Sequence, residues 1–224
     1  MKKIVYVLLL LASALIFSGF QYIDETTLDE KVGFDINNLS DYQKEYKSIE
    51  IEPCATSNIK TYMDYRAITA RDSAQYWFIH DQMSVDEQTG FLYDKDGFIG
   101  VALGSFYGDI GERYYFTLES GVVLPLVKCE SKADRDTDGT GCYHPADGSM
   151  IEFVIDKDYA LNYFGRISND YILNGNYNNY SLFTGDVVKV EKVIDEKNDK
   201  YVTYQKGTKK PVDKDNIFYY GSGY

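Results

Sequence analysis

This chain is poor in the residues that most soluble catalytic machinery needs. It has two histidines, three cysteines, four prolines and one tryptophan in 224 residues. With only His80 and His144 to serve as a base, Cys–His nucleophilic chemistry has little to work with. Cys54 follows a proline and opens no helix, unlike the cysteine of a papain-type peptidase. No glycine-rich run opens a helix, so nucleotide phosphates have no cradle. Cys129, Cys142 and His144 lack an obvious fourth ligand for zinc. Basic charge is scarce too. Once Lys2 and Lys3 are set aside, 21 Lys/Arg face 35 Asp/Glu, a net charge near −14. Such a surface repels nucleic acid and anionic lipid, and it tolerates cations and neutral glycans.

The chain opens on Met1-Lys2-Lys3 followed by an uncharged run from Ile4 to Phe20. That is the pattern of an export signal or of an N-terminal membrane anchor, and both readings stand. No cysteine follows the run, which argues against lipoprotein attachment. Residues 21–52 are polar and acidic without a sustained period and read as a linker. Within it, 39–49 has the composition of a short helix. A domain is expected over 53–195 and a hairpin or tail over 196–224.

Inside the domain, TYMDYRAIT (61–69) reads as a strand. Asp72 or Ser73 then caps a helix running to about Met83, with Ala74, Trp77, Phe78 and Asp81 on one face. Lys95-Asp96-Gly97 joins two apolar runs as a hairpin turn. Strands are also expected on either side of Glu119-Ser120-Gly121, over 150–156, and in a hairpin beginning at Asp186. No internal repeat is visible. The pattern is mainly β with short helices, most economically a small closed barrel. The 22 tyrosines suit half-buried strands, and less often a sugar-stacking face.

The most informative stretch runs from Cys129 to Asp156 and is dense in carboxylates. Such crowding calls for solvent, a cation or a shared proton. Asp134, Asp136 and Asp138 followed by Gly139 match the opening positions of an EF-hand loop, so this segment is a candidate Ca²⁺ site. The twelfth position is Pro145 rather than a bidentate Glu, and no helix pattern flanks the loop, which points to a looser arrangement or a solvated turn. Cys129 and Cys142 bracket the loop and could close it by a disulfide, leaving Cys54 over; three unpaired cysteines fit the sequence equally well.

Ile99-Gly100-Val101-Ala102, the turn at Gly108–Gly111, Cys129-Glu130, Ile151-Glu152-Phe153, Ala160–Gly165 and Val188–Val190 together resemble the double-psi β-barrel domains. Those include the exported three-aspartate type and lytic transglycosylase A. The YMDYRAIT strand and the KAD…TD loop are also similar to a group of exported Firmicute proteins. The resemblance spans about half the chain. It implies a double-psi barrel at the cell wall, with Glu130 and Glu152 on the family's acidic positions. Both positions hold Asp in the family and Glu here, and an enlarged loop replaces the glycine-rich one.

Two functions follow as expectations. One is an accessory domain that binds a cell-wall glycan or an envelope protein. The other is a peptidoglycan-cleaving enzyme of lytic transglycosylase type. There Glu152 is the general acid/base and Glu130 its partner or the stabiliser of an oxocarbenium ion. Apart from Ca²⁺, no cofactor is expected.

Overall fold

The computed structural model describes residues 42–165 and 176–194. The apolar N-terminal run, most of the linker and the 196–224 tail lie outside the described residues. So does the second arm of the hairpin expected after Asp186. No helix among the described residues is long and apolar enough to cross a membrane.

Among the described residues nine strands form one mixed sheet: β1 Ser48–Ile51, β2 Thr61–Asp64, β3 Met83–Val85, β4 Leu92–Asp94, β5 Ile99–Leu103, β6 Arg113–Leu118, β7 Val123–Ser131, β8 Glu152–Ile155 and β9 Val187–Val193. Two α-helices accompany them, α1 Ala74–Gln82 and α2 Lys157–Phe164. The mainly β expectation holds.

The closed barrel does not. The hydrogen-bonded order is β1-β9-β6-β7-β5-β4-β3, with β8 joined to β5 and β2 to β8. The free edge of β5 is divided: Ile99 pairs with Tyr93 of β4, while Val101 and Ala102 pair with Phe153 and Glu152 of β8. The sheet therefore forks at β5, and the β1 end meets neither branch. A closed ring needs its two end strands to pair with each other.

Alternation along the strands sorts the side chains into two cores. Ile99, Val101, Leu103, Tyr114, Phe116, Leu124, Leu126, Phe153 and Ile155 enter one, together with Ala160 and Phe164 of α2. Ala102, Tyr115, Val127, Cys129 and Val154 enter the other, with Phe78 and Ile79 of α1. Both faces of the central strands are thus covered. The first core is aromatic: Phe153 lies 5.0 Å from Tyr177 and 5.1 Å from Phe91, ring to ring. Tyr107, Tyr114, Tyr115 and Tyr177 are fully buried, so these tyrosines are packing residues and not a sugar platform.

The helix expected after Ser73 forms there, and Ser73 Oγ accepts from the Tyr76 N–H at 3.2 Å. Its buried residues are Phe78 and Ile79, not the whole Ala74–Trp77–Phe78–Asp81 face. The strand expected over 61–69 stops at Asp64, where Asp64 Oδ1 accepts from the Arg66 N–H and caps a 3-10 turn. The Asp96-Gly97 turn is present. Gly97 takes φ 80°, a left-handed value that suits glycine. Asp94 Oδ1 accepts from the N–H groups of Asp96 and Phe98, each at 2.9 Å.

Residues 42–52, expected to be linker, belong to the sheet. Ser48–Ile51 is the edge strand β1 against β9, and Tyr42 and Tyr46 lean on the second core. Lys44 and Glu191 form an ion pair that fastens the segment. This polar run carries few apolar residues of its own and borrows its order from β9.

The sequence left a Cys129–Cys142 bridge and three unpaired cysteines as alternatives, and the structure has neither. Cys54 and Cys142 are bonded, with Cα atoms 6.2 Å apart, and Cys129 is a free, buried thiol. Cys129 sits on β7 with its side chain in the second core. A Cβ added to Gly100 would fall 2.9 Å from its sulfur. The central strand thus turns Cys129 away from the loop.

Candidate functional site

The end of β5 is where the acidic positions meet. Ala102 pairs on one side with Glu130 of β7, in parallel, and on the other with Glu152 of β8, antiparallel. Residues directly opposed in a sheet point to the same face, so the two glutamates flank Ala102 on one surface. Their Cα atoms are two strand spacings apart, about 9.5 Å.

A β-bulge puts Glu130 there. Val101 pairs with Lys128, but Ala102 pairs with Glu130, so Cys129 is the extra residue. Regular pairing would set Glu130 against Leu103, whose side chain lies in the first core. The bulge keeps Cys129 in the second core and turns Glu130 to the same side. A one-residue irregularity therefore decides whether this carboxyl meets a cavity or a hydrocarbon core.

The cavity over Ala102 has a volume of about 450 Å³. Thr61 and Met63 of β2 form one wall, with Glu152 beside them. The loop between β7 and β8 forms the opposite wall through Lys132, Asp136, His144 and Asp147. The disulfide fixes the far end of that loop. It ties Cys142 to the segment preceding β2, and the Tyr107 hydroxyl lies 3.3 Å from both Cys54 Sγ and Met150 Sδ.

Burial pushes the Glu130 carboxyl up to about 7; the charge of Glu152 adds to the rise, and the Ser131 N–H and Lys128 oppose it. Its Oε2 atom is buried with no hydrogen-bond partner among the described residues. Glu152 is partly exposed, and Lys132 Nζ lies 3.9 Å from its Oε2. Burial lowers the Lys132 amine, and Glu152 and Asp147 offset part of that. His144 Nδ1 is 3.3 Å from Asp147 Oδ1, too poorly aligned for a hydrogen bond. Asp147 is held below the usual carboxylate range: burial acts against this, and is outweighed by Ser149, His144 and Lys132.

The three loop aspartates do not converge. Asp134 Oδ1 accepts from Ser105 Oγ at 2.6 Å. Asp138 takes the Thr140 hydroxyl at 2.6 Å and the Cys142 N–H at 3.1 Å, and the Thr140 bond leads in lowering its carboxyl. Asp136 alone faces the cavity, with Arg135 Nε 3.7 Å away. Among the described residues, no three His, Cys, Asp or Glu side chains gather closely enough to hold a metal. Cys129, Cys142 and His144 are likewise apart, since Cys142 is bonded to Cys54 and Cys129 is in the core. His80 lies elsewhere, 4.1 Å from the ring of Tyr76.

The sequence pointed to Glu130 and Glu152 but not to their surroundings. Ala102, Thr61 and Lys132 went unsingled. Lys132 had a signal, being two residues beyond Glu130 on a strand-like run, where alternation returns the side chain to the same face. Ala102 and Thr61 had none, because only strand pairing across the fork brings them in.

No known family model matches this chain. Searches among curated proteins and among solved structures also return no match.

Proposed function

We propose that this is an exported cell-envelope protein whose cavity at Ala102 cleaves glycosidic bonds in wall glycan by acid–base chemistry. One observation carries the reading: Glu130, raised to about 7 and with its Oε2 buried and unpartnered, stands across Ala102 from a second glutamate. A carboxylic acid that holds its proton near neutral pH can give it to a glycosidic oxygen. Glu152 then supplies the negative charge opposite. This exchanges the roles that the sequence alone suggests, because Glu130 is the more buried of the two. The small Ala102 side chain leaves a gap, so a water or a sugar hydroxyl fits between the carboxyl groups as attacking nucleophile.

The double-psi resemblance at Ile99–Ala102, Glu130 and Glu152 supports a wall substrate, although the open sheet departs from a closed barrel. The Cys54–Cys142 bridge supports an oxidising compartment, as does the Met1–Phe20 segment, either cleaved or kept as an anchor. The net charge argues against nucleic acid as a partner.

The test is release of soluble muropeptides from purified peptidoglycan by the wild type, Glu130→Gln and Glu152→Gln proteins. Loss of release in both variants, with folding retained, supports the assignment. Full activity in both ends it. A second reading, glycan binding without cleavage, is favoured by the Glu-for-Asp exchanges and the enlarged loop. It predicts that the wild type sediments with peptidoglycan and releases nothing.

A further inference from the structure

Among the described residues two lysines, Lys60 and Lys128, are buried, and a third, Lys132, has a largely buried side chain; they are treated differently. Lys60 Nζ donates to the carbonyls of Asn58 at 3.1 Å and Gly185 at 2.8 Å. Lys128 Nζ donates to the carbonyls of Gly104 at 2.8 Å and Gly108 at 2.6 Å. Both are structural: Lys60 joins two separate segments, and Lys128 closes two backbone groups of one turn. The Lys132 side chain is only 8% exposed, and its Nζ pairs with Glu152 Oε2 at 3.9 Å, too long for a hydrogen bond, on the wall of the cavity. An ammonium has three N–H donors, and Lys132 lines the cavity, where a ligand acceptor can take them.

A carboxyl oxygen without a partner is in the same cavity. Glu130 Oε2 is buried with no partner, and both residues line the 450 Å³ space over Ala102. A donor and a carboxyl left open on one cavity describe a ligand that supplies an acceptor to one and a hydrogen bond to the other. The remaining charges define it further. Glu152, Asp136 and Asp147 face the cavity against the single ammonium, so an added anion is repelled. The ammonium itself disfavours an amine on the ligand at that point. A neutral, strong acceptor satisfies both conditions, and an amide carbonyl is the strongest neutral acceptor a wall polymer offers.

We propose that Lys132 is a specificity-determining residue, donating from Nζ to an amide carbonyl of the substrate, which makes the acetamido group of an N-acetylated amino sugar the feature this cavity reads. The inference rests on the cavity being the glycan site. Stem-peptide amides share the same chemistry, and the experiment separates the two sources.

Binding to the full chain is measured by calorimetry with an N-acetylglucosamine tetramer, its fully deacetylated counterpart and a free wall stem peptide. The wild type is compared with Lys132→Met and Lys132→Gln. The expected result is preference for the acetylated tetramer, lost by about tenfold in Lys132→Met and largely kept in Lys132→Gln, which retains a donor. A thermal midpoint in Lys132→Met close to wild type is expected as well, since its ion pair with the partly exposed Glu152 is long, and it shows that weaker binding is not misfolding. Preference for the stem peptide, with the same loss in Lys132→Met, keeps the carbonyl-reading role and overturns the acetamido source. Equal binding of acetylated and deacetylated tetramers, or acetylated binding untouched in Lys132→Met, overturns the inference while leaving the glycan site standing. Absence of binding by any of the three ligands, together with intact muropeptide release in Glu130→Gln and Glu152→Gln, removes both.

Discussion

Glu130 and Glu152 are 22 residues apart in sequence and stand on opposite sides of one alanine, Ala102, on the same face of the sheet. Their strands, β7 and β8, do not pair with each other. Their relation is made by β5, which takes β7 in parallel on one edge and β8 antiparallel on the other.

That relation makes Ala102→Leu a sharp test of the cavity. The larger side chain fills the gap in which a nucleophile is proposed to sit. Overpacking a buried position costs about 1–3 kcal/mol, a tolerable loss for a domain of this size. Muropeptide release is expected to disappear while circular dichroism and a cooperative melt are retained. Undiminished release would place the chemistry elsewhere.

Glu130 gives a pH signature with a fixed sign. Its folded-state pKa, about 7, is above the ordinary glutamate value, so the folded chain holds this proton where the unfolded chain has lost it. Stability from this group is therefore full below about pH 4 and declines as pH rises to about 7, by about 3 kcal/mol at about 1.36 kcal/mol per pKa unit. Glu130→Gln removes that decline, and the difference between the two melting curves across this range measures it. Activity that depends on the protonated form falls as pH passes through about 7, with a loss of about 10²–10⁴-fold in Glu130→Gln at the optimum.

The disulfide closes a loop of 88 residues in sequence separation. In the chain-entropy picture a bridge of that span is worth about 4–5 kcal/mol. Cys54→Ser and Cys142→Ser are expected to lower the thermal midpoint equally, and reductant is expected to bring wild type to the same value. Cys129→Ser leaves the bridge in place. Mass spectrometry of non-reduced peptides should find Cys54 joined to Cys142, and a Cys129–Cys142 peptide would contradict the arrangement.

Arg113 and Asp94 are an ion pair with both side chains fully buried, and Arg113 Nε donates to Asp94 Oδ2 at 2.8 Å. Arg113 also reaches Asp96 at 2.7 Å and lies 4.6 Å from the ring of Phe98. Arg113→Met strands a buried carboxylate and is expected to cost about 3–5 kcal/mol. The double change Arg113→Met with Asp94→Leu should recover much of it in urea unfolding. Equal loss in the single and double variants would mean that packing around Phe98, not charge, sets the cost.

The aspartates of the loop make a different claim. Asp134 and Asp138 are engaged by Ser105, Thr140 and the Cys142 N–H, leaving only Asp136 of the three turned to the cavity. The thermal midpoint is expected to be the same in Ca²⁺ and in chelator. A rise with Ca²⁺ that vanishes in Asp136→Asn would restore the cation loop.

The sequence by itself determined the local events. The Asp96-Gly97 turn, the Ser73 cap and the strands around Gly121 are written in residues next to one another, and short-range sterics and hydrogen bonds decide them. It also singled out Glu130 and Glu152, through the motifs on which the resemblance rests. What it could not fix is every relation that crosses strands. β1 takes its order from β9 rather than from its own composition, and the fork at β5 leaves open what alternation alone would close into a barrel. The bulge at Cys129 reverses the face of Glu130, and with Cys129 held in the core, Cys142 pairs with Cys54 from a distant segment. Register is a choice among pairings of nearly equal local energy, settled only when two cores fill at once. The cavity, the place of Lys132 on its wall and the gap at Ala102 are consequences of that choice, so they exist in the tertiary structure alone.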